Sequence, residues 1–351
     1  MIHPVILSGG VGKRLWPVSS QNNPKQLHKL FNDKTLLQNT YNRVLKGFDR
    51  DNIFVVTNKN LVDSIKDQLD IDDKNILTEP QSKSTAIAIG LAAAKIKSID
   101  PEANLVIINS DHFIKDEEQY IDLLRRGEAY LDGKYNDKFI LAGIRPSYPE
   151  TGYGYIEVGQ KLENNLFLVD SFKEKPDLAT AKEYINDGFL WNSALFFFKA
   201  SNLLDWYAQY LPQLHQALLA IASDFSPDII AKEYKHLEDI SIDVGLLEKM
   251  DDILVMPSDI SWADIGHWRS LRDILKKGDD NVSNTKNLVT VDSHNNLLYS
   301  FNNKKLIATV GVEDMILVET DEAILLCPAN RAQDIKALLT EIKNKGFDKY
   351  L

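Results

Sequence analysis

The chain is nearly devoid of cysteine. Cys327 is the single one among 351 residues, so no disulfide can close within the chain and a cysteine-built zinc site is excluded. Long apolar runs are missing as well, none approaching the ~20 residues that a membrane-spanning helix requires. The N-terminus, Met1-Ile2-His3-Pro4, carries neither a basic segment nor an apolar leader, and a cytoplasmic protein is expected. Positive charge is scarce, since 40 Lys and Arg against 51 Asp and Glu leave a net charge of −11. That balance argues against a general nucleic-acid or anionic-membrane surface, both of which need a basic face. No second histidine stands at ligand spacing from His112, which is therefore read as structural. The remainder, 44% hydrophobic and 26% charged, is ordinary for a globular chain long enough for one large domain or two.

Against this background the first thirty residues stand out. A short apolar run, Val5-Ile6-Leu7, leads into Ser8-Gly9-Gly10-Val11-Gly12-Lys13-Arg14-Leu15-Trp16-Pro17, and Pro24-Lys25-Gln26 follows. Glycines let a backbone approach a polyphosphate closely and permit positive φ. Lys13, Arg14, Lys25 and Lys29 add positive charge, and no acidic residue precedes Asp33. A local reversal of sign in an acidic chain points to an anionic ligand, most simply a nucleoside triphosphate. Two commoner phosphate motifs fail here. Leu15 stands where the dinucleotide fingerprint needs its third glycine, and Arg14 stands where a Walker A loop needs Ser or Thr.

Strand-like runs at 5–7, 53–57, 105–109 and 139–142 alternate with helical stretches at 34–46, 86–97 and 117–131, each expected to be amphipathic. Such alternation predicts an α/β fold with a largely parallel sheet, ligands gathering at the carboxyl ends of its strands. The glycine loop and Ser110-Asp111-His112 both follow strand-like runs, so both fall on that edge. From about Asn284 short apolar runs recur near Leu288, Leu297, Leu306, Ile316 and Ile324, which suggests a small all-β unit. Residues 331–345 read as a closing helix, with Gly346 as its stop.

The string G-G-x-G-x-R-L-x-P with P-K-Q beyond it resembles the signature of the sugar-1-phosphate nucleotidylyltransferases. Its Leu-Trp-Pro form is similar to the mannose-1-phosphate guanylyltransferase branch, and the resemblance extends over nearly the whole chain. It implies a Rossmann-like, mixed but mostly parallel nucleotidyltransferase domain over residues 1–280, then a small C-terminal β-helix-like domain over 281–351. Some members continue into an isomerase domain, so here the transferase alone is expected. The implied reaction joins GTP and mannose 1-phosphate into GDP-mannose and pyrophosphate, assisted by Mg²⁺ or Mn²⁺. The attacking phosphate oxygen is already anionic, so cations and backbone donors matter more than a general base.

The resemblance assigns Arg14 to the polyphosphate and Lys25 to the α-phosphate as catalytic cations, with Leu7, Ser8, Gly9, Gly10 and Gly12 lining the nucleotide. Lys13 replaces a small family residue, and its phosphate contact is not inherited. Asp111, and Asp264 in Trp262-Ala263-Asp264-Ile265-Gly266, match the metal pair. On the sugar side stand Gly152, Tyr153 and Gly154, then Glu174 for hydroxyls, Lys175 for the sugar phosphate, Asn192 and Asp243. Base choice falls to Glu79, whose carboxylate can accept both N1–H and N2–H₂ of guanine, and to the backbone near Thr85. Lys83-Ser84 stands where the family usually has Arg-Asn, and Ser20 where an arginine is common. Two alternatives stay open: a transferase for another nucleotide or hexose 1-phosphate, and a regulatory paralogue that binds without turnover. The intact Arg14, Lys25, Asp111, Lys175 and Asp264 argue against the second. A homodimer is expected only because symmetric pairs are the commonest oligomers.

Overall fold

The apolar runs of the first half become buried strands in a computed structural model that describes residues 1–20, 23–278, 280–302 and 304–351. Contacts divide the chain into two units, one of Met1–Gly9, Tyr41–Asn109 and Ile114–Trp262, the other of Gly10–Thr40, Ser110–Phe113 and Ala263–Leu351. No helix among the described residues is long and apolar enough to cross a membrane.

In chain order the strands are β1 (Ile2–Ser8), β2 (Phe54–Asn58), β3 (Ile76–Glu79), β4 (Asn104–Asn109) and the short β5 (His112–Ile114). Then come β6 (Phe139–Ile144), β7 (Gly154–Glu163), β8 (Leu166–Glu174), β9 (Leu190–Lys199) and β10 (Ile253–Ser258). All but β5 join one nine-stranded sheet of order β3-β2-β1-β4-β9-β6-β10-β8-β7. β3, β2, β1 and β4 run parallel, as do β6 and β10. β9 lies antiparallel between β4 and β6, and β8 antiparallel between β10 and β7, so the sheet is mixed. Leu7 pairs with Asn109, which brings the carboxyl ends of β1 and β4 side by side.

The helix Thr85–Ile99 differs from the amphipathic stretch expected of it. Ala86 through Ala94 and Ile96 are all buried, because it is covered by the sheet on one side and by the helices Ala200–Tyr210 and Pro212–Ser223 on another. Alanines let these backbones approach, and the dense packing explains an all-round apolar sequence.

The second unit contains short parallel coils. After β11 (Trp262–Asp264) come β12 (Val282–Ser283), β13 (Leu288–Val291), β14 (Leu297–Ser300), β15 (Ile307–Val310), β16 (Met315–Glu319) and β17 (Ile324–Pro328). β12, β14 and β16 form one parallel ladder, β13 and β15 another, with coil-to-coil offsets such as the 19 residues from Ser300 to Glu319. Two ladders built from alternate strands make a small β-helix, capped by antiparallel β17 and by the helix Ile335–Asn344. Its core incorporates Leu15, Trp16, Val18 and Leu30 together with Trp268, Tyr299 and Ile316. Trp268 Nε1 donates to the Trp16 carbonyl at 2.9 Å, and Trp16 Nε1 donates to the Tyr350 carbonyl at 2.7 Å. The segment carrying Arg14 and Lys25 is thus folded by the C-terminal coils.

Candidate active site

Within the second unit, Lys25, Asp111 and Asp264 meet. The Lys25 ammonium pairs directly with Asp111, lies 3.7 Å from Asp264 Oδ1 and donates to the Ile265 carbonyl at 3.2 Å. Burial alone would lower the Lys25 pKa, but the two carboxylates outweigh it and hold the lysine above its ordinary value. Asp111 shows the reverse balance, with burial overcome by Lys25 and then His112, and its pKa is lowered. Gly12 makes this arrangement possible. It sits at φ +70°, and a Cβ there would lie 2.6 Å from the Lys25 side chain. Lys13 is exposed, whereas Arg14 is half-buried and its Nε has no protein partner among the described residues. An unsatisfied buried guanidinium nitrogen beside a glycine turn suits an oxygen-rich anion.

His112, read from the sequence as structural, stands beside the two aspartates. Its ring joins Asp111 and Asp264 in a half-buried group whose ligand atoms all lie within 4.8 Å of one another. One imidazole beside two carboxylates is an arrangement that histidine spacing alone does not reveal. Hard oxygen donors with one imidazole fit Mg²⁺ or Mn²⁺.

In the first unit, Glu79 ends β3 and is 2% exposed. Its Oε2 lies 3.4 Å from where a Cβ on Gly9 would stand, so the bare glycine leaves room beside the carboxylate. Burial pushes the Glu79 carboxyl up to about 8, opposed by a hydrogen bond from Tyr234 and assisted by Asp239. The folded state therefore binds this proton more tightly than the unfolded chain does. Stability should fall as pH rises from about 4.5 to about 8, by at most ~1.4 kcal/mol per unit. Glu79→Gln removes that slope. Thermal midpoints of both proteins across this range check it, and parallel profiles would refute it.

The strip after Glu79 is held residue by residue. Gln81 Nε2 donates to the Tyr234 carbonyl at 3.4 Å, Lys83 donates to the Leu237 carbonyl, and Ser84 N–H donates to Asp239 at 2.6 Å. Thr85 Oγ1 accepts from the Ile242 N–H at 3.0 Å, one residue before Asp243. Asn192 Nδ2 in turn donates to Asp243 Oδ1 at 3.1 Å. Burial raises the Asp243 pKa, while the charge of Lys175 and the Asn192 bond work against it. Glu174 and Lys175 pair at the exposed end of β8, where Gly154 is the register partner of Glu174 and Lys175 N–H donates to the Tyr153 carbonyl at 3.2 Å. Beside Asn192 the sugar-side Tyr153 joins an aromatic group that sequence reasoning did not assemble. Tyr153 packs edge-on against Trp191 and Trp262, with ring centroids 5.3 and 5.2 Å away.

A mixed α/β sheet, a glycine turn holding a lysine against two aspartates, and a β-helix define a nucleotidyl transferase. The family described as "Nucleotidyl transferase" matches residues 3–281, and that described as "MannoseP isomerase/GMP-like beta-helix domain" matches residues 286–342. The chain belongs to the mannose-1-phosphate guanylyltransferase family of these transferases. It is 34% identical to "Mannose-1-phosphate guanylyltransferase 2" of Escherichia coli O157:H7 over 99% of this chain and 74% of that protein. It is 35% identical to "Alginate biosynthesis protein AlgA" of Pseudomonas aeruginosa, over 98% and 72% respectively. A crystal structure from Thermus thermophilus, described as a mannose-1-phosphate geranyltransferase, superposes with a TM-score of 0.88 at 28% identity. That match covers 97% of this chain and 99% of the other.

Proposed function

We propose that the protein transfers GMP from GTP to mannose 1-phosphate, releasing GDP-mannose and pyrophosphate. What carries this proposal is the joining of Lys25, Asp111 and Asp264 in a chain whose relatives bear the guanylyltransferase name. Residues 1–280 would act as the transferase domain, with residues 281–351 as the small β domain.

An oxygen of the sugar phosphate forms a bond to the α-phosphorus as the bond to the β-phosphate oxygen breaks, and pyrophosphate leaves with that electron pair. No proton need be removed from the attacking oxygen. Lys25 neutralises the α-phosphate, and the Arg14 fork takes the oxygens of the departing pyrophosphate. Backbone N–H groups from Leu7 to Gly12 line the phosphates. Asp111 and Asp264, with His112 beside them, would hold a divalent ion, which supplies Lewis-acid stabilisation of charge on the phosphates. Glu79 and the backbone at Thr85 read guanine. Gly152, Tyr153, Gly154, Glu174, Asn192 and Asp243 hold the hexose, and Lys175 takes its phosphate.

Pyrophosphate release across four nucleoside triphosphates and several hexose 1-phosphates tests the substrate pair. GTP with mannose 1-phosphate should give the highest kcat/KM, and a preference for another pair would replace the proposed one. Lys175→Ala should weaken sugar-phosphate use by about 10²-fold, equivalent to ~2.7 kcal/mol for a lost charged contact. GTP affinity, read by calorimetry with GTP alone, should stay unchanged. Equal loss on both substrates would contradict the division of roles.

A further inference from the structure

Tyr234 belongs to none of the motifs read from the sequence; it ends the helix Pro227–Tyr234 and is fully buried. Its hydroxyl donates to Glu79 Oε1 at 3.4 Å, across 155 residues of sequence. We propose that Tyr234 is the positioning residue for base selection: it holds one oxygen of Glu79 so that the carboxylate presents its edge, past the bare Gly9, to the paired donors of guanine. The proposal rests on the assignment of guanine as the base that Glu79 reads.

Three observations support it. Burial keeps Glu79 protonated below about pH 8 in the nucleotide-free protein, but the paired donors of guanine favour the ionised form. Once ionised, the carboxylate offers about four acceptor directions, so a tyrosine hydroxyl on Oε1 leaves capacity on both oxygens for N1–H and N2–H₂. Oε2 faces the space that a side chain at Gly9 would have narrowed. The backbone around Tyr234 is itself fixed to the base-reading strip, through Gln81 on its own carbonyl and through Lys83, Ser84 and Thr85 on Leu237, Asp239 and Ile242. A carboxylate on a rotatable side chain reads two donors at once only if its plane is fixed, and Tyr234 supplies the fixed point. The hydroxyl never touches the nucleotide in this arrangement. It acts through Glu79.

The test compares GTP with ITP, which keeps N1–H but lacks the 2-amino group. In the wild type the ratio of kcat/KM for GTP over ITP should be large. Tyr234→Phe should lower that ratio about tenfold, mostly through KM for GTP, with kcat at saturating GTP within about twofold. KM for the sugar phosphate and the thermal midpoint should hold. In a Glu79→Gln background the same substitution should have no further effect on the ratio, because the group it positions has lost its second acceptor. An unchanged GTP/ITP ratio in Tyr234→Phe, while Glu79→Gln lowers it, overturns the positioning role alone. An unchanged ratio in Glu79→Gln overturns the assignment of Glu79 to guanine as well. A uniform fall for GTP, ITP and sugar phosphate, with a lowered midpoint, would make Tyr234 a packing residue and nothing more.

Discussion

Asp111→Asn and Asp264→Asn should each lower turnover by roughly 10³-fold, the scale of losing ~4 kcal/mol of charge stabilisation at the reacting phosphorus. If both carboxylates hold the same ion, the double variant should be little worse than the poorer single one. Stability should behave differently. Either single variant leaves Lys25 one carboxylate, but the double leaves its buried ammonium with none, and stranding a buried charge costs about 3–5 kcal/mol. Turnover should therefore saturate in the double variant while the thermal midpoint drops sharply. Raised metal concentration, or Mn²⁺, should recover part of the single variants' activity. Multiplicative losses in turnover without any response to metal would show that the two aspartates do not share an ion.

Lys25→Met is expected to have the second large effect, again roughly 10³-fold in turnover for a missing charge at the α-phosphate. It should also produce a gain. Lys25 now pairs with the two carboxylates that would ligate a metal, so an ion must compete with its ammonium. Removing the ammonium takes away the cation that lies against both Asp111 and Asp264, and Mn²⁺ should bind the nucleotide-free variant more tightly than the wild type. Electron paramagnetic resonance of free Mn²⁺ in a titration measures this directly. Equal or weaker Mn²⁺ binding by Lys25→Met would mean that Lys25 does not occupy the ion's place.

Much of the fold was legible because apolar runs report strands locally. The runs ending at Leu7, Asn109 and Ala142 lie in strands of the main sheet, as does the run ending at Thr57 except for Ile53, one residue before its strand. The recurrence from Leu288 onward appears as coils of a β-helix, and the helix expected over 331–345 forms as Ile335–Asn344, preceded by the 3-10 turns of Ala329–Asp334. What stayed hidden depends on pairing between distant segments. No local pattern says that β9 enters antiparallel between β4 and β6, since a buried strand looks alike in either direction. Nor does one show that Lys25 meets the Ile265 carbonyl, 240 residues away, or that His112 faces two carboxylates. Tyr234 was invisible for the same reason, as it belongs to no motif and matters only through Glu79. The burial of Ala86 to Ala94 within the helix Thr85–Ile99 was hidden for the same reason, since the helices that cover it, Ala200–Tyr210 and Pro212–Ser223, lie more than a hundred residues further along the chain.

The bonds from the Arg14–Lys25 segment to its supporting coils set a schedule for the newborn chain. Trp16 waits for Trp268 and Tyr350, partners 252 and 334 residues further along. At a synthesis rate of ~5–20 residues per second, those partners emerge from the ribosome roughly 10–70 s later. Until then Leu15, Trp16 and Val18 have no apolar core to enter, and the glycine turn cannot be held in its final form. A partly translated chain can thus build its main sheet while its phosphate loop remains unassembled. Ribosome-stalled chains that stop before residue 263 should accordingly resist protease across β4 and β6 yet be cut near Arg14.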